Sequence, residues 1–497
     1  MFRFLIFLAF ATVLFSQSFG AEGARCGTLQ FIDNSKNKMR KLLAKPGFEN
    51  CVPENYYGRV DSAITRHFII YYTQQRAHAI SAKTPGYIDS LAKYLEQAYE
   101  LHKNTLGMNG ILGARRTHNY QKTVPLGLYP VEVIDTGLLR YEEGEYAATY
   151  GLTFSPNSRS PRATQIAIEN DFYYGADCQG GSSTKPFVSG KNENYSADSD
   201  KWHWALKVTA FHELYHSFQM AQADINDSNS LWAEASATGV EEIGAPEVND
   251  YISYLPNIFR CLGCSMGTND KGYGHAVLYL FLYSELGSRF DSAIWNYFSK
   301  YPGTNFPLQL ARLADSLHMD AEDLFHKYAS HIFYSGARAK FSPSFWNDDM
   351  PEWPEWRIKR NALSVLPAAA IDFVIKTSED APRTDSVARI SFMSYGDSSV
   401  WVLSRLLEKE FVAPPPKGEL IAYPNPWNPK RYPAVRFKVP ENVNKVEIRS
   451  ANGALLERIR SDSENSFIWQ PQKIPAPGIL YYRSLPYGKN KVLIVEY

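Results

Sequence analysis

The chain has 497 residues, with 52 Lys+Arg against 52 Asp+Glu, and this zero net charge gives no electrostatic case for a nucleic-acid partner or a polybasic membrane contact. Hydrophobic residues at 44% and charged residues at 21% exclude a largely disordered chain, and the length is enough for roughly two to four domains. The 32 Tyr, 28 Phe and 10 Trp suit a rigid secreted protein with partly wet aromatic surfaces.

Residues 1–20 read as a secretory signal: Arg3 is the positive start, Phe4 to Phe15 the apolar run, and Ser18-Phe19-Gly20 the cleavage region. The run is too short for a membrane anchor, and so is the later apolar run Ala276 to Tyr283, which reads as a buried helix. Arg25 before Cys26 does not fit a lipobox, so no lipid anchor is expected. Cys26, Cys51, Cys178, Cys261 and Cys264 remain after cleavage. In an oxidising compartment Cys26 with Cys51, and Cys261 with Cys264, are the natural short loops, which leaves Cys178 over. A zinc or redox role for the C-x-x-C lacks a second such pair and a thioredoxin-like context, so a structural disulfide is favoured.

Arg66 to Tyr72 reads as a strand, and Tyr87 to Leu101 as an amphipathic helix with Tyr87, Ile88, Leu91, Leu95, Ala98 and Leu101 on one face. Val124 to Ile134 gives one or two strands around Pro130, and Thr164 to Ile168 a short strand. The polar stretch Gly175 to Asp200 is a loop. Trp204 to Ala223 is a long helix. Ser230 caps a second helix that runs through Ile243 and stops at Gly244 and Pro246. Helix resumes from His275 to Leu286 and between Phe306 and Tyr334. Beyond Leu363 the pattern turns to β, with strands at Ala370 to Ile375, Ala388 to Met393 and Ser399 to Leu403.

The chemistry lies in the long helix. His212-Glu213-Leu214-Tyr215-His216 places two imidazoles at i and i+4, on one helical face, where both reach one metal ion. Zinc needs a third protein ligand and, for catalysis, an open position. Ser217, Phe218, Gln219 and Met220 do not supply a third His at the extended spacing. Glu234, eighteen residues after His216 and flanked by Trp232, Ala233, Ala235 and Ala237, sits on a face that looks buried, where a carboxylate needs a cation. Glu241, seven residues on, fits equally a group that steadies a ligand imidazole and a plain surface carboxylate. His67, His203 and His331 have no metal-ligand spacing.

An H-E-x-x-H helix followed by a Glu on the next helix resembles the gluzincin metallopeptidases. Trp232-Ala233-Glu234-Ala235-Ser236-Ala237 with Glu241-Glu242, the phrase Thr209 to Gln219, and Tyr273-Gly274-His275 further resemble secreted bacterial metalloproteases of that clan. The resemblance covers about Arg66 to Tyr334. It implies a Zn2+ cofactor held by His212, His216 and Glu234, Glu213 as general base, and a protein or peptide substrate. It also makes Tyr273 and His275 candidates for stabilising the oxyanion. Zincins commonly lay substrate along an exposed sheet edge; Thr164 to Ile168 fits that edge, and fits an ordinary interior strand as well.

Ala413-Pro414-Pro415-Pro416-Lys417-Gly418 reads as a stiff linker. After it, Ala422-Tyr423-Pro424-Asn425-Pro426-Trp427-Asn428-Pro429 resembles the opening of C-terminal sorting domains of type IX-like secretion systems, with turns at Asn452-Gly453, Pro477-Gly478 and Tyr487-Gly488. That resemblance implies an immunoglobulin-like β-sandwich that engages the secretion machinery and places the protein outside a bacterial cell or on its surface. A carbohydrate-binding or purely structural sandwich is the alternative.

The expected architecture is therefore α+β: signal 1–20, zincin-like catalytic domain 21–362, all-β segment 363–412, linker 413–419 and C-terminal sandwich 420–497. The expected function is that of a secreted zinc metallopeptidase. Its rivals are a non-catalytic zinc-containing binding protein on the same scaffold and a zinc hydrolase of a non-peptide bond. The stretch Cys26 to Asn55 has room for a pro-segment, although nothing in it marks one.

Overall fold

The computed structural model describes residues 58–496 apart from 77, 137–148, 158–159, 175–184, 187–194, 262, 269–271, 344–345, 363–364, 378–381, 383–387, 409–419, 440–444, 461–465 and 486–489. The signal, the Cys26–Cys51 pairing, Cys178, the stretch 26–55, most of the 175–200 loop, the linker 413–419 and the turn at Tyr487-Gly488 lie outside these. The protein is α+β. The chain divides into two compact units, one made of Met1–Gln309 with Phe325–Leu406 and the other of Leu310–Leu324 with Leu407–Tyr497.

The first unit is built on a five-stranded sheet. Its strands are β1 (Val60–Ile64), β2 (Phe68–Thr73), β3 (Tyr129–Ile134), β4 (Gly151–Phe154) and β5 (Gln165–Glu169), in the spatial order β1-β2-β3-β5-β4. The β2, β3 and β5 strands run parallel; β1 and β4 are antiparallel edges. Every residue of β3 is buried, as both faces of a central parallel strand require. Pro130 is tolerated there because the ladder to β5 begins only at Val131.

The strand expected at Thr164 to Ile168 is interior, between β3 and β4, so it is not the exposed edge. The edge beside it is β4, four residues too short to show an alternating pattern. A two-stranded ribbon, β6 (Tyr173–Tyr174) with β7 (Lys185–Pro186), follows in sequence.

Helix α1 (Tyr87–Glu100) buries Tyr87, Leu91, Leu95 and Ala98, and a wider turn, Leu101–Thr105, extends it. Helix α2 (Trp202–Gln222) has an unbroken buried stretch from Val208 to Gln219. It is therefore enclosed on all sides rather than amphipathic, and each polar side chain within it needs a partner. Helix α3 (Ser230–Gly244) packs against it. Ser230 is the first helical residue rather than the cap: Asn229 takes the cap position, and its Oδ1 accepts from the Asn226 N–H at 2.8 Å.

Helices α4 (Leu255–Phe259), α5 (Ala276–Leu286), α6 (Phe290–Lys300), α7 (Phe306–Ser316) and α8 (Ala321–Ile332) follow. Tyr273–His275 is a separate 3-10 turn that leads into α5. The Cys261–Cys264 disulfide forms as expected from its spacing, with Cα atoms 5.3 Å apart. A three-stranded antiparallel sheet ends this unit, with β8 (Ala370–Ile375) and β9 (Arg389–Tyr395) flanking β10 (Ser398–Arg405).

In the second unit two antiparallel sheets enclose one core. The first sheet is β11 (Ile421–Tyr423), β12 (Val435–Lys438) and β15 (Ser466–Trp469). The other has the order β14 (Leu455–Arg460), β13 (Lys445–Ser450), β16 (Gly478–Leu485) and β17 (Lys491–Val495). Val435 and Phe437 point inward and Arg436 and Lys438 outward, the period-two pattern of a half-buried strand. Trp427 is fully buried among Phe437, Trp469 and Val495, and its backbone bonds Ile494 O at 2.7 Å. No helix among the described residues is long and apolar enough to cross a membrane.

Candidate metal centre

His212 and His216 lie one turn apart on α2, and α3 returns over them with Glu234. The Nε2 atoms of the two imidazoles are 3.0 Å apart, and Glu234 Oε2 is 3.2 Å from His212 Nε2 and 3.6 Å from His216 Nε2. All three residues are buried, at 4%, 0% and 0% exposure, so bulk water cannot take the place of a partner. Sequence spacing thus brought together the residues it was expected to bring together.

The proton positions decide what this group needs. His212 Nδ1 is 2.5 Å from Glu241 Oε1, and His216 Nδ1 is 2.8 Å from Gln219 Oε1. Gln219 is oriented by its amide nitrogen, which donates to Ala233 O at 3.1 Å and Ser236 Oγ at 2.9 Å, so its oxygen must face the imidazole. Both Nδ1 atoms therefore face acceptors and carry the proton. Both Nε2 atoms then turn lone pairs toward one point. Neither oxygen of Glu234 has a hydrogen-bond partner among the described residues. Two lone pairs and a buried carboxylate converging without a proton between them repel, unless a cation sits among them.

These three residues form the group among the described residues whose ligand atoms lie close enough to hold a metal ion. Burial raises the Glu234 carboxyl, but the facing imidazoles of His216 and His212, when charged, outweigh it and hold the group at about 2.

Glu213 points from the same helix toward β4. Thr153 Oγ1 lies 2.7 Å from the Glu213 backbone oxygen and 2.8 Å from its Oε2, so one hydroxyl proton serves both. Burial raises the Glu213 pKa; His212, His216 and the Thr153 bond pull the other way. Gly151 is required here: a Cβ on it would sit 2.8 Å from Glu213 Cγ and 2.8 Å from Thr209 Cγ2. Gly272 is required for a similar reason, since at φ +122° a Cβ would lie 2.3 Å from Leu231 O and 2.8 Å from Glu234 Cβ.

Tyr273 is packed face to face with His212, ring centroids 6.1 Å apart, and with Tyr254 at 4.9 Å. His275 instead lines a cavity with the Cys261–Cys264 disulfide, Phe325, Tyr328 and Trp356, where burial lowers its pKa to about 4. Of the two downstream candidates, Tyr273 is the one stacked on His212.

Gln219 and Thr153 were not singled out from the sequence. Gln219 sits three residues after His216, on the same face, so helical spacing alone could have suggested it; Thr153 is sixty positions from Glu213 and left no local signal. Glu241, read from sequence either way, is the group that holds the His212 ring. No protein-family model matches the chain, and no curated protein matches it closely enough to be called a relative.

Proposed function

We propose that the chain is a secreted zinc-dependent metallopeptidase of gluzincin type, with a zincin-like catalytic part and an immunoglobulin-like sorting module at its C-terminus. The observation that carries this reading is the convergence of His212 Nε2, His216 Nε2 and a Glu234 carboxylate without a hydrogen-bond donor among the described residues, beside a second carboxylate, Glu213. Two nitrogens and one oxygen suit zinc, and three protein ligands fit a site that keeps a position open.

Bound zinc supplies Lewis acidity, which makes water a nucleophile near neutral pH and polarises a carbonyl. The residues of the chain do the rest. Glu213, made more basic by burial and held by Thr153, takes the proton of the attacking water and passes it to the leaving amide nitrogen. Tyr273, beside His212, donates to the oxygen on which negative charge develops. Glu241 and Gln219 fix both rings and their tautomers, so the ligand set is formed before substrate arrives. A purely structural zinc would need no base at Glu213, which favours an enzyme over a binding protein.

The test is hydrolysis of a diverse peptide library, with the cut sites read by mass spectrometry. Zinc-loaded protein is expected to cut, to stop on chelation, and to recover on zinc addition; a chelator-insensitive cut would refute the reading.

A further inference from the structure

Helix α6 was not expected from the sequence, and its second residue does something unusual for a carboxylate. Asp291 has no exposed surface and accepts from three side chains. Tyr215 Oη donates to Oδ2 at 2.5 Å, Trp232 Nε1 to Oδ1 at 2.7 Å, and Trp295 Nε1 to Oδ2 at 3.2 Å. Tyr215, Trp232 and Trp295 are themselves fully buried. The bond to Trp295 stays within α6, while the other two leave it. Tyr215 lies between the two histidines on α2, next to His216; Trp232 lies two residues before Glu234 on α3.

We infer that Asp291 is a positioning residue: one carboxylate clamps the helix that carries both imidazoles to the helix that carries the third ligand, and so sets their separation. Burying a carboxylate costs stability that an apolar side chain of similar size would not. What the carboxylate adds is direction, because each oxygen fixes a donor from a different ligand-bearing helix. The start of α6, where backbone N–H groups and the helix dipole favour negative charge, steadies it. Stacking of Trp232 on Phe306, 3.7 Å between centroids, locks the indole that makes the second bond. The clamp depends on the metal reading above.

The experiment titrates zinc against a chromophoric competitor in the full chain, for wild type, Tyr215→Phe, Asp291→Asn, their double variant and Trp295→Phe, with thermal melting in parallel. Tyr215→Phe keeps the ring and loses one donor, so it reads the link even if Asp291→Asn folds poorly. Each of the two variants is expected to weaken zinc by roughly 10- to 100-fold, the range for groups that orient metal ligands. The double variant should lose far less than the product of the singles, because both cut the same link. Trp295→Phe should melt at a lower temperature yet keep zinc affinity within about twofold. Unchanged zinc affinity in folded Tyr215→Phe and Asp291→Asn, or losses that multiply, would overturn the clamp while leaving the metal site intact. A wild-type chain that binds no zinc would overturn both.

Discussion

Glu234 in the metal group and Glu447 in the C-terminal unit are both glutamates with almost no exposed surface, at 0% and 1%. Their surroundings differ. Glu447 Oε1 accepts from Arg458 Nε at 2.7 Å; its Oε2 accepts from Arg483 Nη2 at 2.8 Å and Arg449 Nη2 at 3.1 Å. Burial would raise its carboxyl, and the three guanidinium partners, Arg458, Arg483 and Arg449, bring it down to about 2. Guanidinium groups stay charged at any pH the fold survives, so this carboxylate is satisfied by its own chain. Glu234 is held equally low, but only by imidazoles that must be protonated to do it. With each ring neutral and its proton on Nδ1, the pull is gone and a buried charge is left over. The two glutamates differ in what faces them: Glu447 is matched by three permanent cations of its own chain, whereas Glu234 faces only imidazoles and has no hydrogen-bond donor on either oxygen among the described residues.

The largest effect that sharpens this contrast is on turnover. Glu213→Gln keeps the size and the Thr153 contact of the side chain but removes its basicity, so peptide hydrolysis should fall by roughly 10²- to 10⁴-fold with zinc content unchanged. Unaltered turnover at full zinc occupancy would reject Glu213 as base.

Smaller effects follow from the groups that hold the imidazoles. Gln219→Ala and Glu241→Gln should each weaken zinc by roughly 10- to 100-fold, read by competition with a chelator of known affinity. A proton freed from either Nδ1 partner lets the ring turn or change tautomer. Affinity equal to wild type in both variants would mean that the rings are fixed in another way.

Smallest is the effect at Glu447. Its arginines are partly exposed, at 29%, 57% and 37%, and can turn to water, so Glu447→Gln should cost about 1–2 kcal/mol in urea unfolding near pH 7 and leave zinc binding untouched. The sign with pH follows from the lowered carboxyl. Its stabilisation is present above the ordinary glutamate range and lost as pH falls from about 4.5 toward about 2, so the gap between wild type and variant should close with acid. A gap that stays constant down to pH 2 would mean that the carboxylate charge is not what matters.

How much of this was legible in the sequence depended on distance along the chain. His212 and His216 share a face by helical periodicity, and Glu234 follows after one turn, so this group could be read locally. The burial around Glu234 was legible in Trp232, Ala233, Ala235 and Ala237. Thr153 and Asp291 meet α2 across 60 and 76 positions, and no periodicity reports such pairings. β4 is too short to alternate, which is why the sequence left open whether Thr164 to Ile168 was the edge or an interior strand. Trp427 and the alternation in β12 made the core of the C-terminal unit legible, since a half-buried sheet writes its period into the residues. Glu447 went unremarked because three arginines scattered over 35 positions give no motif.

The central claim is that Glu234 is kept for a metal whereas Glu447 is not. Elemental analysis of the full chain after zinc loading and removal of excess metal tests it most directly, on wild type, Glu234→Ala and Glu447→Gln. Wild type and Glu447→Gln are expected to hold about one zinc per chain, and Glu234→Ala well below half of that. Full occupancy in Glu234→Ala would contradict the account.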